Sequence, residues 1–230
     1  MGSVSATAQG KTPSKQFLTI AGAPILVHTL RKFDETPEVS EIRIALRPQE
    51  GDGFLADMQR HGFRKTIRVV EGGEHRQQSV WNALKSVRAA DEDIVLVHDA
   101  VRPFVDRETI AGVIAAVKKY GAAIAAMPAV DTIKQVERTP DGAIIRATIP
   151  REVLVQAQTP QGFRYGLLKQ AFEAAESEGF VGTDEASLLE HIGHAVHVVM
   201  GSPRNIKITT PSDLEVAELY LSEEKSKSLP

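Results

Sequence analysis

Residues Asp93–Pro103 read DIVLVHDAVRP, and Ile94-Val95-Leu96-Val97 is an unbroken aliphatic run that ends on His98, Asp99 and Arg102. A run with no polar alternation suits a strand covered on both faces, which is how strands of parallel sheets read. In open sheets of that kind ligands gather beyond the carboxyl ends of the strands, so the residues that follow Val97 are the first place to look for chemistry. The bland alternative is a solvated turn at Asp99 and Arg102, with Pro103 stopping the strand.

The rest of the chain keeps the same rhythm. Apolar strand candidates are Ile42–Leu46, Ile67–Val70, Ile94–Val97, Ala122–Met127, Val196–Met200 and Ile206–Thr209. Helical periodicity falls in Ile25–Phe33, Val80–Val87, Thr109–Tyr120, Leu167–Glu176, Glu185–Ile192 and Leu214–Leu221. Asp106, Thr183 and Ser212 stand at capping positions ahead of three of these helices. Alternation of this kind predicts an α/β fold with a mostly parallel, twisted sheet and helices on both faces, built as one domain over residues 1–230.

One segment breaks the rhythm. Thr132–Arg138, a Thr139-Pro140-Asp141-Gly142 turn and Ala143–Ile149 read as a β-hairpin. Its Ile133, Val136, Ile144, Ile145 and Ile149 need cover, because a two-stranded ribbon is marginal alone. The ribbon either folds back on its own domain or forms an arm, residues 132–152, that embraces a second copy; the arm is the favoured reading.

The bulk numbers exclude several classes. There is no cysteine among the 230 residues, hence no disulfide, thiolate metal site or cysteine nucleophile. A formal net charge of −3 gives no basic field for nucleic acid. No apolar stretch reaches membrane-spanning length, and residues 1–10 do not read as a signal peptide, so a cytoplasmic location is expected. Gly10-Lys11-Thr12 lacks the upstream glycine of a phosphate-binding P-loop, G-x-G-x-x-G does not occur, and Ser79 has no G-x-S-x-G setting. His191, His194 and His197 are interrupted by Gly193, which disfavours a zinc site.

What remains points to phosphate chemistry. Gly72-Gly73-Glu74-His75-Arg76-Gln77-Gln78-Ser79 joins a strand to a helix start, where glycine allows close approach and free N–H groups favour anions, although ordinary tight turns also use Gly-Gly. Lys207 alternates with Ile206 and Ile208, and so faces water or serves a charged group. Four cations near strand or hairpin ends (Lys15, Arg102, Arg151, Lys207), with Asp99 among them, suit a polyphosphate with Mg²⁺ better than a neutral substrate.

Seven motifs in order carry a resemblance. They are Ser14–Leu30 (SKQFL…G-PIL-HTL), Gly72–Val80, Val97–Pro103, Asp131–Lys134, Gln158–Phe163, Thr183–Ser187 (TDEAS) and Asn205–Thr209 (NIKIT). Together they resemble the 2-C-methyl-D-erythritol 4-phosphate cytidylyltransferase family of the non-mevalonate isoprenoid pathway. The resemblance implies a Rossmann-like sheet, a β-arm swapped across a homodimer, and CTP with Mg²⁺. By that likeness Lys15 stabilises charge on the α-phosphate, and Gly73, Glu74 and Ser79 form the cytosine loop. Asp99 and Ala100 form the ribose and metal edge. Arg102, Thr132, Arg151, Thr159 and Lys207 form the acceptor-phosphate site, with Thr132, Arg151 and Thr159 coming from the partner's arm. Arg151 and Lys207 position the attacking phosphate. A cytidylyltransferase for a pentitol phosphate such as ribitol 5-phosphate would share the CTP loop.

The resemblance departs at its start. The family opens with an apolar strand running into A-A-G-x-G-x-R-M, whereas only Val4–Lys11 stands before Lys15 and no arginine precedes Arg31. Either the nucleotide site is impaired, leaving a binding module, or residues are absent between Ala6 and Thr7. The second is favoured because the other site residues are kept; a Cα separation there well beyond about 3.8 Å would mark it.

Overall fold

The computed structural model describes residues 14–227, so the Ala6–Thr7 junction lies outside the described residues. A short hairpin, β1 (Thr19–Ile20) and β2 (Ala23–Pro24), leads into α1 (Ile25–Asp34). Then come β3 (Glu41–Leu46), α2 (Pro48–Met58), β4 (Thr66–Glu71), α3 (Arg76–Lys85), β5 (Ile94–Val97) and α4 (Arg107–Tyr120). β6 (Ala122–Pro128) precedes the ribbon strands β7 (Ile133–Thr139) and β8 (Gly142–Ile149). β9 (Val155–Arg164), α5 (Tyr165–Glu178), α6 (Glu185–His191), β10 (His197–Met200) and α7 (Pro211–Lys227) follow.

The central sheet runs β10-β6-β9-β5. β6 explains why an all-apolar strand belongs in the middle. Ala122, Ile124 and Ala126 join a core with Phe163, Trp81 and the buried faces of α5 and α6. On the other side Ala123 and Ala125 meet Val113 and Val117 of α4. Helices therefore cover both faces of β6, whereas β5, the aliphatic run expected to be covered on both faces, is an edge strand whose four residues are half-buried. α4 buries Ile110, Val113, Ile114 and Val117, a one-sided stripe at helical spacing, and Asp106 caps it by accepting the Thr109 N–H at 2.6 Å.

The sheet is mixed rather than mostly parallel. β10 runs parallel to β6, but β9 is antiparallel to both β5 and β6. The β5-α4-β6 crossover leaves a gap one strand wide, and the chain returning from the ribbon fills it in the opposite sense. A separate parallel pair, β3 and β4, lies across a cleft of about 810 Å³ from β5, and among the described residues no backbone ladder bridges it. The cleft is walled by Ile42, Ile44, Ile94 and Leu96 and by α1 side chains Leu26 and Leu30.

Two further expectations are corrected. Ile206–Thr209 is not a ladder strand: its backbone ties are Ile208 N–H to the Val101 carbonyl at 2.9 Å and the local Ile206 N–H to the Arg204 carbonyl at 2.8 Å. Flanking carbonyls go to side chains instead, Asn205 O to Arg102 and Thr209 O to Lys15. The caps of the last two helices are Asp184 rather than Thr183, with a reciprocal bond from Ser187, and Thr210 rather than Ser212. Asp213 there accepts the N–H groups of Thr209 and Thr210, which hold its carboxyl down at about 2.

The ribbon forms as read. β7 and β8 pair antiparallel from Ile133↔Ile149 to Thr139↔Gly142, turning at Pro140-Asp141. Its Val136, Ile144 and Ile145 are 43%, 49% and 60% exposed, so these side chains find no cover within the one chain.

Candidate active site

β4 and β5 end at the same rim, and the segments leaving them meet there. Gly72 N–H bonds the Leu46 carbonyl at 2.8 Å, the last rung that ties the chain leaving β4 to β3. At Gly73 any Cβ would fall 2.4 Å from the Gln78 side chain, so only glycine lets the loop fold onto the start of α3. The loop is closed by its own polar groups. Ser79 Oγ accepts the Gly73 N–H at 3.0 Å and donates to the His75 carbonyl at 3.1 Å, while Glu74 N–H donates to Gln78 Oε1 at 2.8 Å.

Asp99 is the centre of charge. Lys207 Nζ lies 3.0 Å from its Oδ2, with Arg102 Nε at 3.4 Å, and Arg76 Nε is 3.4 Å from Oδ1. Burial pushes this carboxyl up, but Lys207 foremost, then Arg76 and Arg102, outweigh burial and hold it below the usual aspartate range. Its backbone N–H donates to Thr159 Oγ1 at 3.0 Å. The neighbouring Ala100 carbonyl accepts from Thr29 Oγ1 at 2.8 Å, which anchors the turn to α1.

A buried relay sits beneath. His98 Nδ1 and Thr159 Oγ1 are 3.0 Å apart, and His98 Nε2 is 3.0 Å from the Arg102 carbonyl. That carbonyl can only accept, so Nε2 carries the proton and Nδ1 accepts from the threonine hydroxyl. Burial drives the His98 pKa down to about 4, against the weaker pull of the Arg102 carbonyl. Thr159 is therefore a strut of this chain's own β9, already joined to His98 and Asp99. The expectation that it arrives on a partner's arm is corrected by these two bonds.

The expected residues divide into two groups. Gly73, Glu74, Ser79, Asp99, Ala100, Arg102, Thr159 and Lys207 gather at one rim. Lys15, on a single turn Lys15–Phe17, joins them through its 2.6 Å bond to the Thr209 carbonyl, two residues from Lys207. Thr132 and Arg151 do not join. Both are exposed at the ribbon's base, where Arg151 donates to the Val130 carbonyl at 2.7 Å, and neither bonds or pairs with the Asp99 cluster.

Sequence reasoning gave no role to Arg76, Glu185, His98 or Asn205. A cation in the first turn of a helix opposes the helix dipole, and that was the available sign that Arg76 is held by an acid. Asn205 is wholly buried and its Nδ2 donates to the Thr159 carbonyl at 2.8 Å, a tie only the folded chain reveals.

The comparisons point to one family. Residues 4–223 match the family model described as IspD, 2-C-methyl-D-erythritol 4-phosphate cytidylyltransferase. A protein of that name from Acidobacterium capsulatum is 58% identical over 213 residues, covering 93% of this chain and 89% of its own length. Another from Solibacter usitatus is 49% identical over 217 residues, covering 94% of this chain and 88% of its own. Among solved structures, 4-diphosphocytidyl-2C-methyl-D-erythritol synthase from Anaerococcus prevotii superposes with a TM-score of 0.81 at 31% identity, over 91% of this chain and 94% of that one. The Francisella tularensis 2-C-methyl-D-erythritol 4-phosphate cytidylyltransferase gives 0.77 at 37% identity, over 89% and 92%. With the family model, the relatives and the solved structures in agreement, this chain belongs to the 2-C-methyl-D-erythritol 4-phosphate cytidylyltransferase family.

Proposed function

We propose that the chain transfers a cytidylyl group from CTP to 2-C-methyl-D-erythritol 4-phosphate, giving the CDP-linked product and pyrophosphate. The observation that carries this is the rim itself, where Lys207, Arg102 and Arg76 converge on Asp99 beside the glycine loop and Lys15. In this reading Gly73, Glu74 and Ser79 hold the cytosine, and Asp99 and Ala100 line the ribose and metal edge. Arg102, Thr159 and Lys207 line the acceptor phosphate, Thr159 through its hold on the Asp99 turn. Thr132 and Arg151 complete that site from a second copy, whose ribbon brings the exposed Ile144 and Ile145 against this one. The assembly is then a cytoplasmic homodimer.

The chemistry asks little of a base. A phosphate monoester is already anionic; its oxygen attacks the α-phosphorus in line, the α–β bridging bond breaks, and pyrophosphate leaves with the electron pair. Lys15 neutralises charge that grows on the α-phosphate, while Lys207 and Arg151 hold the nucleophile in line. Among the described residues no three histidine or acidic side chains converge as a metal cage. Asp99 is a single carboxylate among cations, which suits one ligand to a Mg²⁺ that arrives with the triphosphate as part of the substrate.

Pyrophosphate release from CTP, measured with methylerythritol phosphate, with ribitol 5-phosphate and with no acceptor, tests the reading. Release with methylerythritol phosphate alone is the expected result. Release with ribitol 5-phosphate instead would move the acceptor to the pentitol class, and CTP binding without release would make the chain a nucleotide-binding module.

A further inference from the structure

Glu185 is an acid in an expensive place. It is 1% exposed, and its two oxygens lie 2.8 and 2.9 Å from Nη1 and Nη2 of Arg76. Burial pushes its carboxyl up while the facing guanidinium pulls it back. An ion pair with one partner fully buried is weak support for stability, since the desolvation of the buried charge offsets much of the attraction. The pair therefore calls for another reason.

Its surroundings supply one. Gln161, buried at the centre of β9, takes the Ala186 N–H on Oε1 at 3.1 Å and donates Nε2 to Asp184 Oδ2 at 2.8 Å, which locks the first turn of α6. Gln77 ties the start of α3 to the same region, donating to the Phe180 carbonyl at 3.1 Å and accepting from Gly182 N–H at 2.9 Å. Arg76 is thus gripped from behind, and the Nε–H left over points at Asp99 Oδ1, on the edge opposite Lys207 and Arg102. Only a planar fork with five donors can hold one carboxylate with two nitrogens and a second carboxylate with a third.

We propose that Glu185 and Arg76 form a positioning pair that fixes the rotation of the Asp99 carboxylate and so sets the affinity of the site for the nucleotide. Neither residue reacts; Glu185 acts through Arg76, and Arg76 through Asp99. The inference rests on the proposed reading of Asp99 as the nucleotide edge.

The test uses the full chain with Arg76→Lys and Glu185→Gln, which keep size and, in the first, charge. Pyrophosphate release is followed while CTP with Mg²⁺ and the acceptor are varied separately, alongside a thermal melt. KM for CTP is expected to rise about 10-fold in both variants, with KM for the acceptor within roughly 3-fold. An unchanged KM for CTP in either folded variant, or a parallel rise of both constants, overturns the pairing. So does loss of cooperative melting in both, because Arg76→Lys changes a half-exposed side chain and a positioning role leaves the fold intact. Wild-type protein that releases no pyrophosphate would sink the proposed function, and this inference with it; active wild type isolates the variants' result.

Discussion

Lys207 reaches Asp99 from a segment about a hundred residues further along the chain, its Nζ 3.0 Å from Oδ2. That segment forms no ladder of its own; Arg102 grips the Asn205 carbonyl on one side of Lys207 and Lys15 the Thr209 carbonyl on the other. One lysine thus stands on a segment held by two further cations. Lys207→Met keeps the stem and removes the charge. kcat/KM for the acceptor is expected to fall on the order of 10²-fold. Asp99 retains Arg76 and Arg102, so the melting midpoint should move by no more than about 3 °C. Pyrophosphate assays and a thermal melt read both; near-normal kcat/KM would remove Lys207 from the acceptor site.

Among the described residues Lys15 has no carboxylate partner and bonds the Thr209 carbonyl alone, which leaves its charge available to a phosphate. Lys15→Ala should lower turnover about 10²–10³-fold, the scale of losing one donor to a charge that develops in the transition state. Single-turnover measurements at saturating CTP check it, and turnover close to wild type would end its catalytic assignment.

The parts of the fold that were legible are those in which one local rule suffices. The aliphatic runs of β3, β4, β5 and β6 are strands, and the Pro-Asp turn makes the ribbon. β9 escaped because Val155–Arg164 carries Pro160 and Gly162, both poor strand residues, and three glutamines that break its apolar pattern. It is a strand because β5 and β6 offer it two open edges and because Gln161 finds partners on α6. α2 escaped because Gly51 and Gly53 break its helical pattern. In the site, cations at strand ends could be named, but their pairing across 109 positions, as between Arg76 and Glu185, is a property of the packing alone.

His98 makes stability depend on pH. Its folded pKa of about 4 lies below the ordinary 6.5, so the unfolded chain takes up the proton first as pH falls. The contribution is complete above 6.5 and is lost progressively down to about 4. Between pH 7 and 5 His98 alone should cost about 2 kcal/mol of stability. His28, lowered chiefly by burial, adds a loss of the same sign. In His98→Gln, whose amide can still donate to the Arg102 carbonyl and accept from Thr159, the decline measured by urea unfolding should be shallower. Equal slopes in the two proteins would mean that His98 is not held neutral.

Gly162 in β9 lies under α4. A Cβ there would fall 2.7 Å from Val113 Cγ1 and 2.8 Å from Val117 Cγ2, and β-branched side chains on a helix have no free rotamer to retreat into. Gly162→Ala should therefore destabilise by about 1–3 kcal/mol despite improving strand propensity. A urea midpoint at or above wild type would show that α4 yields more easily than this packing implies.

A ribbon exchanged between copies makes one more claim, which concerns arithmetic rather than contacts. If Arg151 serves the site of the other copy while Lys15 serves its own, the two lesions fall in different places when they sit on different chains. In a dimer of one Lys15→Ala chain and one Arg151→Ala chain, one site carries both lesions and the other carries neither. Random pairing after co-expression makes half the dimers mixed, so about a quarter of wild-type activity should return, although each variant alone is nearly inactive. A ribbon serving its own chain leaves every site with one lesion, and no activity returns. The exposed Ile144 and Ile145 supply the control: Ile145→Glu on both chains should abolish the apolar contact proposed between the ribbon and its neighbour, and the recovered quarter should vanish with the dimer in sedimentation velocity. Recovery that persists in a monomer would refute the exchange.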